Sequence, residues 1–261
     1  MTVDHYAGAA RHWATGAAIV YAPIARQIVA MSPHPLTGRV VLDAGAGTGA
    51  ASSVLSDQGA RTVAVDLSPD MLVWESSTRP PAAVADILAL PIAANAVDDS
   101  VTAFVLNHLV EPLAGLAELI RVTRPSGAVL AAVFGNTSRS EVRDLVDETA
   151  RREGWRVPEW YLGLKAEATP ILGGAEQMAR AASAAGLVAA SVEERVVDVG
   201  VDEPEQLVDY RLGQAQFAAW LTQIGPEHAD EVRRHATEAV RPIMRPYRPI
   251  VVFLAALTPE T

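Results

Sequence analysis

The stretch Val40-Val41-Leu42-Asp43-Ala44-Gly45-Ala46-Gly47-Thr48-Gly49-Ala50-Ala51 decides how this chain is read. An apolar, β-branched run ends in an acid. Glycine follows at every second position, and small residues then open a helix. Val40 to Leu42 show no polar alternation, which predicts a strand buried on both faces of a parallel sheet. The glycines lack a Cβ, so the backbone there can turn tightly and come close to a ligand. The helix beginning near Gly49 offers unpaired N–H groups at its N-terminus. Strand, loop and helix together predict a nucleotide-type site at the carboxyl end of a parallel strand.

Charge narrows the choice of ligand. Gly45 to Ala50 fit the G-x-G-x-x-G/A dinucleotide pattern. A pyrophosphate there would lie close to Asp43. Two anions in a partly desolvated loop repel by roughly several kcal/mol at an effective dielectric of about 20. A cation is attracted instead. S-adenosylmethionine (SAM) carries an ammonium and a sulfonium and has no phosphate, so the acid before the glycines favours SAM over NAD or FAD. The plain alternative is a tight turn that binds nothing.

Working outward, Thr62-Val63-Ala64-Val65 predicts a second strand closed by Asp66. That acid lies about 20 residues past the glycines, where a carboxylate reaches both ribose hydroxyls. Its other reading is a cap on the helix opened by Leu67-Ser68-Pro69-Asp70-Met71. Ala82 to Ala85 form a short third strand ending in Asp86, which can accept from an adenine amino group while Ile87 covers the ring. Val101 to Leu106 predict a fourth strand running into Asn107-His108. A helix over about Pro112 to Thr123 and a strand over Ala128 to Phe134 follow. Upstream, about Tyr6 to Met31 reads as two helical pieces, the second starting at Pro23. Tyr6, Trp13 and Tyr21 on that segment either pack on the core or close over the cofactor and line the substrate entrance.

These motifs resemble the class I SAM-dependent methyltransferases of the small-molecule type, near the ubiquinone/menaquinone-biosynthesis methyltransferases. The likeness rests on Asp43 to Gly49, Val65-Asp66-Leu67-Ser68, Ala85-Asp86-Ile87 with Leu90-Pro91, and Leu106-Asn107-His108-Leu109 with Glu118 and Arg121 to Gly127. It is good over about Arg39 to Phe134 and holds only in outline beyond. Ser126 departs from the family, which usually has glycine there. The resemblance implies a Rossmann-like α/β three-layer sandwich with a seven-stranded, mostly parallel sheet whose last strand is antiparallel. It also implies a SAM site made by Asp43, Ala44, Gly45, Gly47, Asp66, Leu67, Met71, Asp86, Ile87 and Asn107, with S-adenosylhomocysteine as product.

Beyond Phe134, Ser138-Arg139-Ser140-Glu141 predicts a capping box and a helix that Gly154 ends. A helix over about Ala175 to Ala185, a strand within Val188 to Val199 and a last strand over about Ile250 to Leu257 complete the fold. Between those strands lies an insertion, 202–246. Asp202 and Glu205 make a helix-start signature. Leu207, Tyr210, Gln214, Phe217, Leu221 and Ile224 then recur at spacings of three and four, one face of a single helix. This predicts a helical lid over the substrate, with Tyr210 and Gln214 as its polar groups. Trp13 and Tyr21 join them as candidate substrate-binding residues. The whole chain, 1–261, is expected to be one domain with an N-terminal helical segment, 1–35.

Composition sets limits. The 261 residues are half hydrophobic and one-fifth charged, the balance of a globular protein. There is no cysteine, so disulfides, thiolate metal sites and a cysteine nucleophile are excluded. The histidines show no ligand spacing, and no metal site is expected. The net charge of −10 argues against a nucleic-acid partner. No apolar run approaches the roughly 20 residues needed to span a bilayer. The N-terminal residues have neither a basic nor an apolar region, so no signal peptide and a cytoplasmic location are expected.

Methyl transfer from a sulfonium needs a placed nucleophile, a dry pocket and at most one base. His108, after the fourth strand and titrating near neutrality, is the catalytic candidate, with a structural role as its alternative. Glu111 is a weaker second. The expected function is methylation of a mostly apolar, neutral or cationic small molecule, such as an intermediate of specialised metabolism. A fold of this kind that keeps SAM structurally and runs a cyclisation, or a non-catalytic SAM-binding module, would show the same motifs.

Overall fold

The computed structural model describes residues 3–167 and 169–260. The chain runs through α1 (Ala10–His12), a π-helical turn (Trp13–Ala17), α2 (Ala18–Ala30), β1 (Val40–Ala44), α3 (Ala50–Asp57), β2 (Arg61–Asp66), α4 (Pro69–Val73), β3 (Ala82–Val84) and β4 (Asp99–Ala103). It continues through α5 (Pro112–Val122), β5 (Ala128–Phe134), α6 (Glu141–Arg152), α7 (Glu159–Glu167), α8 (Thr169–Leu172) and α9 (Ala175–Ala184). The last elements are β6 (Val188–Val196), α10 (Pro204–Leu212), α11 (Ala215–Val240) and β7 (Ile250–Leu257).

The seven strands form one sheet in the order β3-β2-β1-β4-β5-β7-β6. All pairings are parallel except those of β7, which runs antiparallel to β5 and β6. The sheet is covered on both faces because its central strands are apolar on both. On β5, Ala128, Leu130 and Ala132 pack with α2, α3, α6, α10 and α11. Val129, Ala131 and Val133 face the other layer, with α5 and α9. This period of two follows from the strand pleat. Strand order reverses between β1 and β4. A ligand crevice therefore opens outside their carboxyl ends.

Several boundaries differ from the sequence reading, each for a packing reason. Pro23 does not begin a helix but lies inside α2, where Val20, Ile24 and Ile28 are completely buried and hold the helix on the core. Tertiary packing here outweighs the lost backbone hydrogen bond. The irregularity comes earlier, in the π-helical turn. There the backbone crosses α10 so closely that a Cβ on Gly16 would meet the carbonyl oxygen of Asp209 at 2.2 Å. The same crossing divides the insertion. Gly213 sits where a Cβ would meet His12 O at 2.5 Å, and Gln214 is extended (ψ 150), so α10 and α11 are two helices rather than one. Glu203, not Asp202, caps α10, in a reciprocal box with Gln206.

β4 ends at Ala103 rather than Leu106. Phe104 takes a left-handed φ of 62°, and Leu106–His108 form a 3₁₀ turn. Ser140, not Ser138, caps α6, its Oγ accepting from Arg143 N at 3.3 Å. Ser126, where the family favours glycine, has φ 59°, the left-handed conformation a glycine would take most easily.

Candidate functional site

A cavity of about 600 Å³ opens at the predicted crevice, a size ordinary for cofactor sites. The carboxyl ends of four strands supply its floor: Gly45 and Gly47 after β1, Asp66 and Leu67 after β2, Ala85 to Leu88 after β3, and Ala103 to Val105 after β4. Met71 of α4 joins them. The glycine loop is pinned to β2 by Gly45 N and Ala46 N, which donate to Val65 O at 2.8 and 3.0 Å. Gly45 has φ +76 and its missing Cβ would fall 2.1 Å from Val105 Cγ2. A side chain there would run into Val105 and would have to hold a left-handed φ.

Asp66 is the electrostatic centre of this cavity. Its Oδ2 accepts from Gly47 N at 2.7 Å and its Oδ1 from Ser68 N at 2.9 Å. The Ser68 contact closes a tight turn just ahead of α4, whose N-cap is Ser68 with no side-chain cap, while Asp66 itself lines the cavity. Burial raises its pKa, while those backbone donors pull it down. Asp86 also lines the cavity, with Oδ1 accepting from Leu88 N at 2.9 Å, and Ile87 beside it is buried.

Asp43 and Ala44 lie behind this surface rather than on it. Ala44 is fully buried in the sheet core, so no side-chain contact with a cofactor is open to it. Asp43 is 1% exposed and accepts from Ser52 Oγ at 2.5 Å, leaving Oδ1 without a hydrogen-bond partner. Burial pushes its pKa up to about 6, with the Ser52 hydrogen bond opposing. A buried carboxylate short of partners, behind glycines open to a ligand, suits a cationic group. Loop, acids and apolar cover thus fit SAM. Arg79 braces the loop from outside, donating to Gly47 O at 2.8 Å and Met71 O at 2.8 Å.

A second cavity, about 490 Å³, adjoins the first. Tyr6, Trp13, His108 and Leu164 line both. Tyr21, Tyr210 and Gln214 line only the second, so all four predicted substrate residues are brought together. Trp13 stacks on Tyr21 at 4.7 Å between centroids, and Tyr21 meets Phe104 edge-on at 4.9 Å. Tyr210 lies 3.4 Å from Tyr247 by their hydroxyls. Gln214 is satisfied by Arg211, by Gln216 Nε2 at 2.9 Å and by Tyr21 OH at 3.4 Å. Asn107, expected on the cofactor, lies in the 3₁₀ turn after β4 and lines the second cavity, not the first. Its Oδ1 is buried without a partner.

His108 stands on the shared wall, its Nδ1 3.2 Å from Tyr6 OH. Burial, then the charges of Lys165 and His5, lower its pKa to about 4. The neutral-range titration expected from the sequence is therefore displaced into acid. Glu111 is exposed ahead of α5 and lines neither cavity.

The insertion, expected as a lid, sets Tyr210, Arg211, Gln214 and Gln216 on the second cavity. Leu207, Tyr210, Phe217 and Leu221 are at most 2% exposed and belong to the same core as α2 and β5. The outer cover comes from residues the sequence reading passed over: His5 stacks on Trp160 at 4.6 Å, and Trp160, Gly163 and Leu164 of α7 line the first cavity. No residue of α7 is fully buried. Its aromatic pair Trp160-Tyr161 was the available signal. Among the described residues, no cluster of acidic, histidine or cysteine side chains could hold a metal ion, and no helix is long and apolar enough to cross a membrane.

A sheet of this order, with acid-ended strands around a glycine loop, defines a Rossmann-like nucleoside-binding domain. The methyltransferase-domain family matches residues 42–131. A demethylmenaquinone methyltransferase of Corynebacterium efficiens is 33% identical over 57% of this chain and 67% of its own length. That of Renibacterium salmoninarum is 35% identical over 49% of this chain and 54% of its own. The chain thus spans about half the length of the first curated relatives it matches. A solved phosphoethanolamine N-methyltransferase of Haemonchus contortus shares the fold at TM-score 0.60 and 20% identity, over 99% of this chain and 61% of that one. This chain belongs to the class I SAM-dependent methyltransferases.

Proposed function

We propose that the chain binds SAM in the first cavity and methylates a small molecule, aromatic or apolar in its body, seated in the second. The observation that carries this reading is the shared wall: Tyr6, Trp13, His108 and Leu164 border both cavities, so two ligands would meet there. When bound, SAM supplies a methyl group activated by a sulfonium. Asp66 would hold the ribose, Asp86 and Ile87 the adenine end, and Gly45 and Gly47 the close approach of the amino-acid part. Asp43 supplies negative charge from behind the loop.

On the acceptor side, Trp13, Tyr21 and Tyr210 present aromatic surface and exclude water, which favours a reaction that loses charge. His108 is neutral at pH 7, with burial as the main cause. A neutral imidazole can accept a hydrogen bond or proton from an acceptor hydroxyl, but with so low a pKa it is a weak base, and most of the rate would come from placement. The relatives named demethylmenaquinone methyltransferase are in keeping with such an acceptor, and we read it as an intermediate of specialised metabolism. We read the chain as one domain working in the cytoplasm, with 202–246 as the inner wall of the acceptor chamber; the net charge of −10 disfavours nucleic acid. Incubation with SAM and candidate phenols should release S-adenosylhomocysteine together with methylated product. Conversion of an acceptor without S-adenosylhomocysteine release would favour cyclisation, and SAM binding without any conversion a binding module.

A further inference from the structure

The second cavity has a charge opposite to that of the protein. Among the described residues lining it are Arg139, Arg143, Lys165 and Arg211, and no carboxylate, in a chain whose net charge is −10. Arg211 is neutralised from behind by Asp147, whose two oxygens accept at 2.6 Å each. Arg143 has no such partner. Its guanidinium makes one long hydrogen bond, from a terminal nitrogen to Ser138 O at 3.3 Å, and its Nε is buried with no partner at all. Tyr161, on the same cavity, reports the local potential. Burial alone would raise its phenol pKa, yet Arg211, Lys165 and Arg143 outweigh that and lower it. Lys165 Nζ lies 5.5 Å over the Tyr161 ring.

A half-buried cation costs free energy unless an anion meets it. Nothing among the described residues supplies one, and the cavity beside it is large enough for a ligand that would. Resting on the proposed function above, we infer that the methyl acceptor carries a carboxylate, which pairs with the Arg143 guanidinium while its ring lies toward Trp13 and Tyr21. A carboxylate matches the guanidinium fork with two parallel hydrogen bonds. Lys165 and Arg139, both exposed, stand at the cavity and draw an anion inward. The expectation of a neutral or cationic acceptor, drawn from the acidic net charge, is thereby reversed: the surface average does not describe the chamber.

The test uses the wild-type chain saturated with S-adenosylhomocysteine and ligand-observed NMR. Benzoate, 4-hydroxybenzoate and cinnamate serve as probes, each against its neutral carboxamide. The acids should bind about tenfold tighter than their amides, the range of a charge-assisted hydrogen bond. Arg143→Gln should bring the ratio to near one while S-adenosylhomocysteine affinity stays within threefold, and Arg143→Lys should keep part of the preference. A ratio near one in the wild type, whether both members bind alike or neither binds, would overturn the inference. So would an acid preference untouched by Arg143→Gln. Failure of the wild type to bind S-adenosylhomocysteine would instead remove the proposed function, and this inference with it.

Discussion

The hydroxyl of Tyr6 stands 3.2 Å from Nδ1 of His108, on the wall between the two cavities. The pair joins the N-terminal segment to the turn after β4, two parts 102 residues apart in sequence. It puts a polar contact where methyl donor and acceptor would meet. Because burial holds His108 near pKa 4, it should contribute at the low end of base catalysis. His108→Ala is expected to lower kcat by about 10²-fold with S-adenosylhomocysteine affinity unchanged. The acid limb of the wild-type profile should lie near pH 4 and vanish in the variant. A limb near pH 6.5, or a kcat unchanged by the substitution, would count against this role.

Gly45 and Gly47 should respond differently to alanine. A Cβ at Gly45 would meet Val105 at 2.1 Å, whereas at Gly47 the nearest atom is Met71 Cε at 3.5 Å. Gly45→Ala should cost about 3 kcal/mol from backbone strain and overpacking, lowering Tm by roughly 6–12 °C in a chain of this size. Gly47→Ala, with φ of 54°, should cost only about 1–2 kcal/mol. Thermal melts of both variants compare them directly, and equal losses would show that the Val105 contact yields freely.

The central sheet, the glycine loop and the three strand-end acids were legible in the sequence because each is local. An apolar run ending in Asp43, Asp66 or Asp86 needs no distant partner to be recognised. What the sequence could not show depends on contacts between remote segments. Gly16 and Gly213 look like ordinary glycines until their helices cross, and that crossing splits α10 from α11. His108 has an ordinary histidine's pKa on paper, and only the surrounding burial moves it. The cationic lining of the acceptor chamber comes from four residues spread over Arg139 to Arg211, with no spacing that would flag them together. The motif sets Asp43 next to the glycines in sequence, and only the packed structure shows it buried behind them, bonded to Ser52.

Asp43 should destabilise the ligand-free protein above its raised pKa. With a folded pKa of about 6 against an ordinary 3.8, the folded state holds the proton more tightly than the unfolded state between those values. Stability from this group is fully present below about pH 4 and is lost as pH rises to about 6. Asp43→Asn should therefore gain on the wild type by up to roughly 3 kcal/mol between pH 4 and pH 7.5, and should bind SAM more weakly. Urea denaturation at the two pH values checks this; a difference that does not grow with pH would contradict it.

α7 should be the part of the site that moves. None of its residues is fully buried, while Phe217 and Leu221 of α11 are core. Hydrogen exchange in α7 should slow on adding S-adenosylhomocysteine, as Trp160 and Leu164 close on the cavity they line. The first turns of α11 should not change. Slowing confined to α10 and α11 would return the covering role to the insertion.

The most direct test of SAM binding at the glycine loop is a calorimetric titration of S-adenosylhomocysteine into the wild type and into Asp66→Ala. Asp66 lines the cavity and also accepts from Gly47 N and Ser68 N, so its loss removes the ribose contact and loosens the loop. The account predicts micromolar binding to the wild type and an affinity about 30- to 1000-fold weaker in the folded variant, from the loss of about 2–4 kcal/mol of charge-assisted hydrogen bonding. No binding to the wild type, or equal affinities in the two proteins, would contradict it.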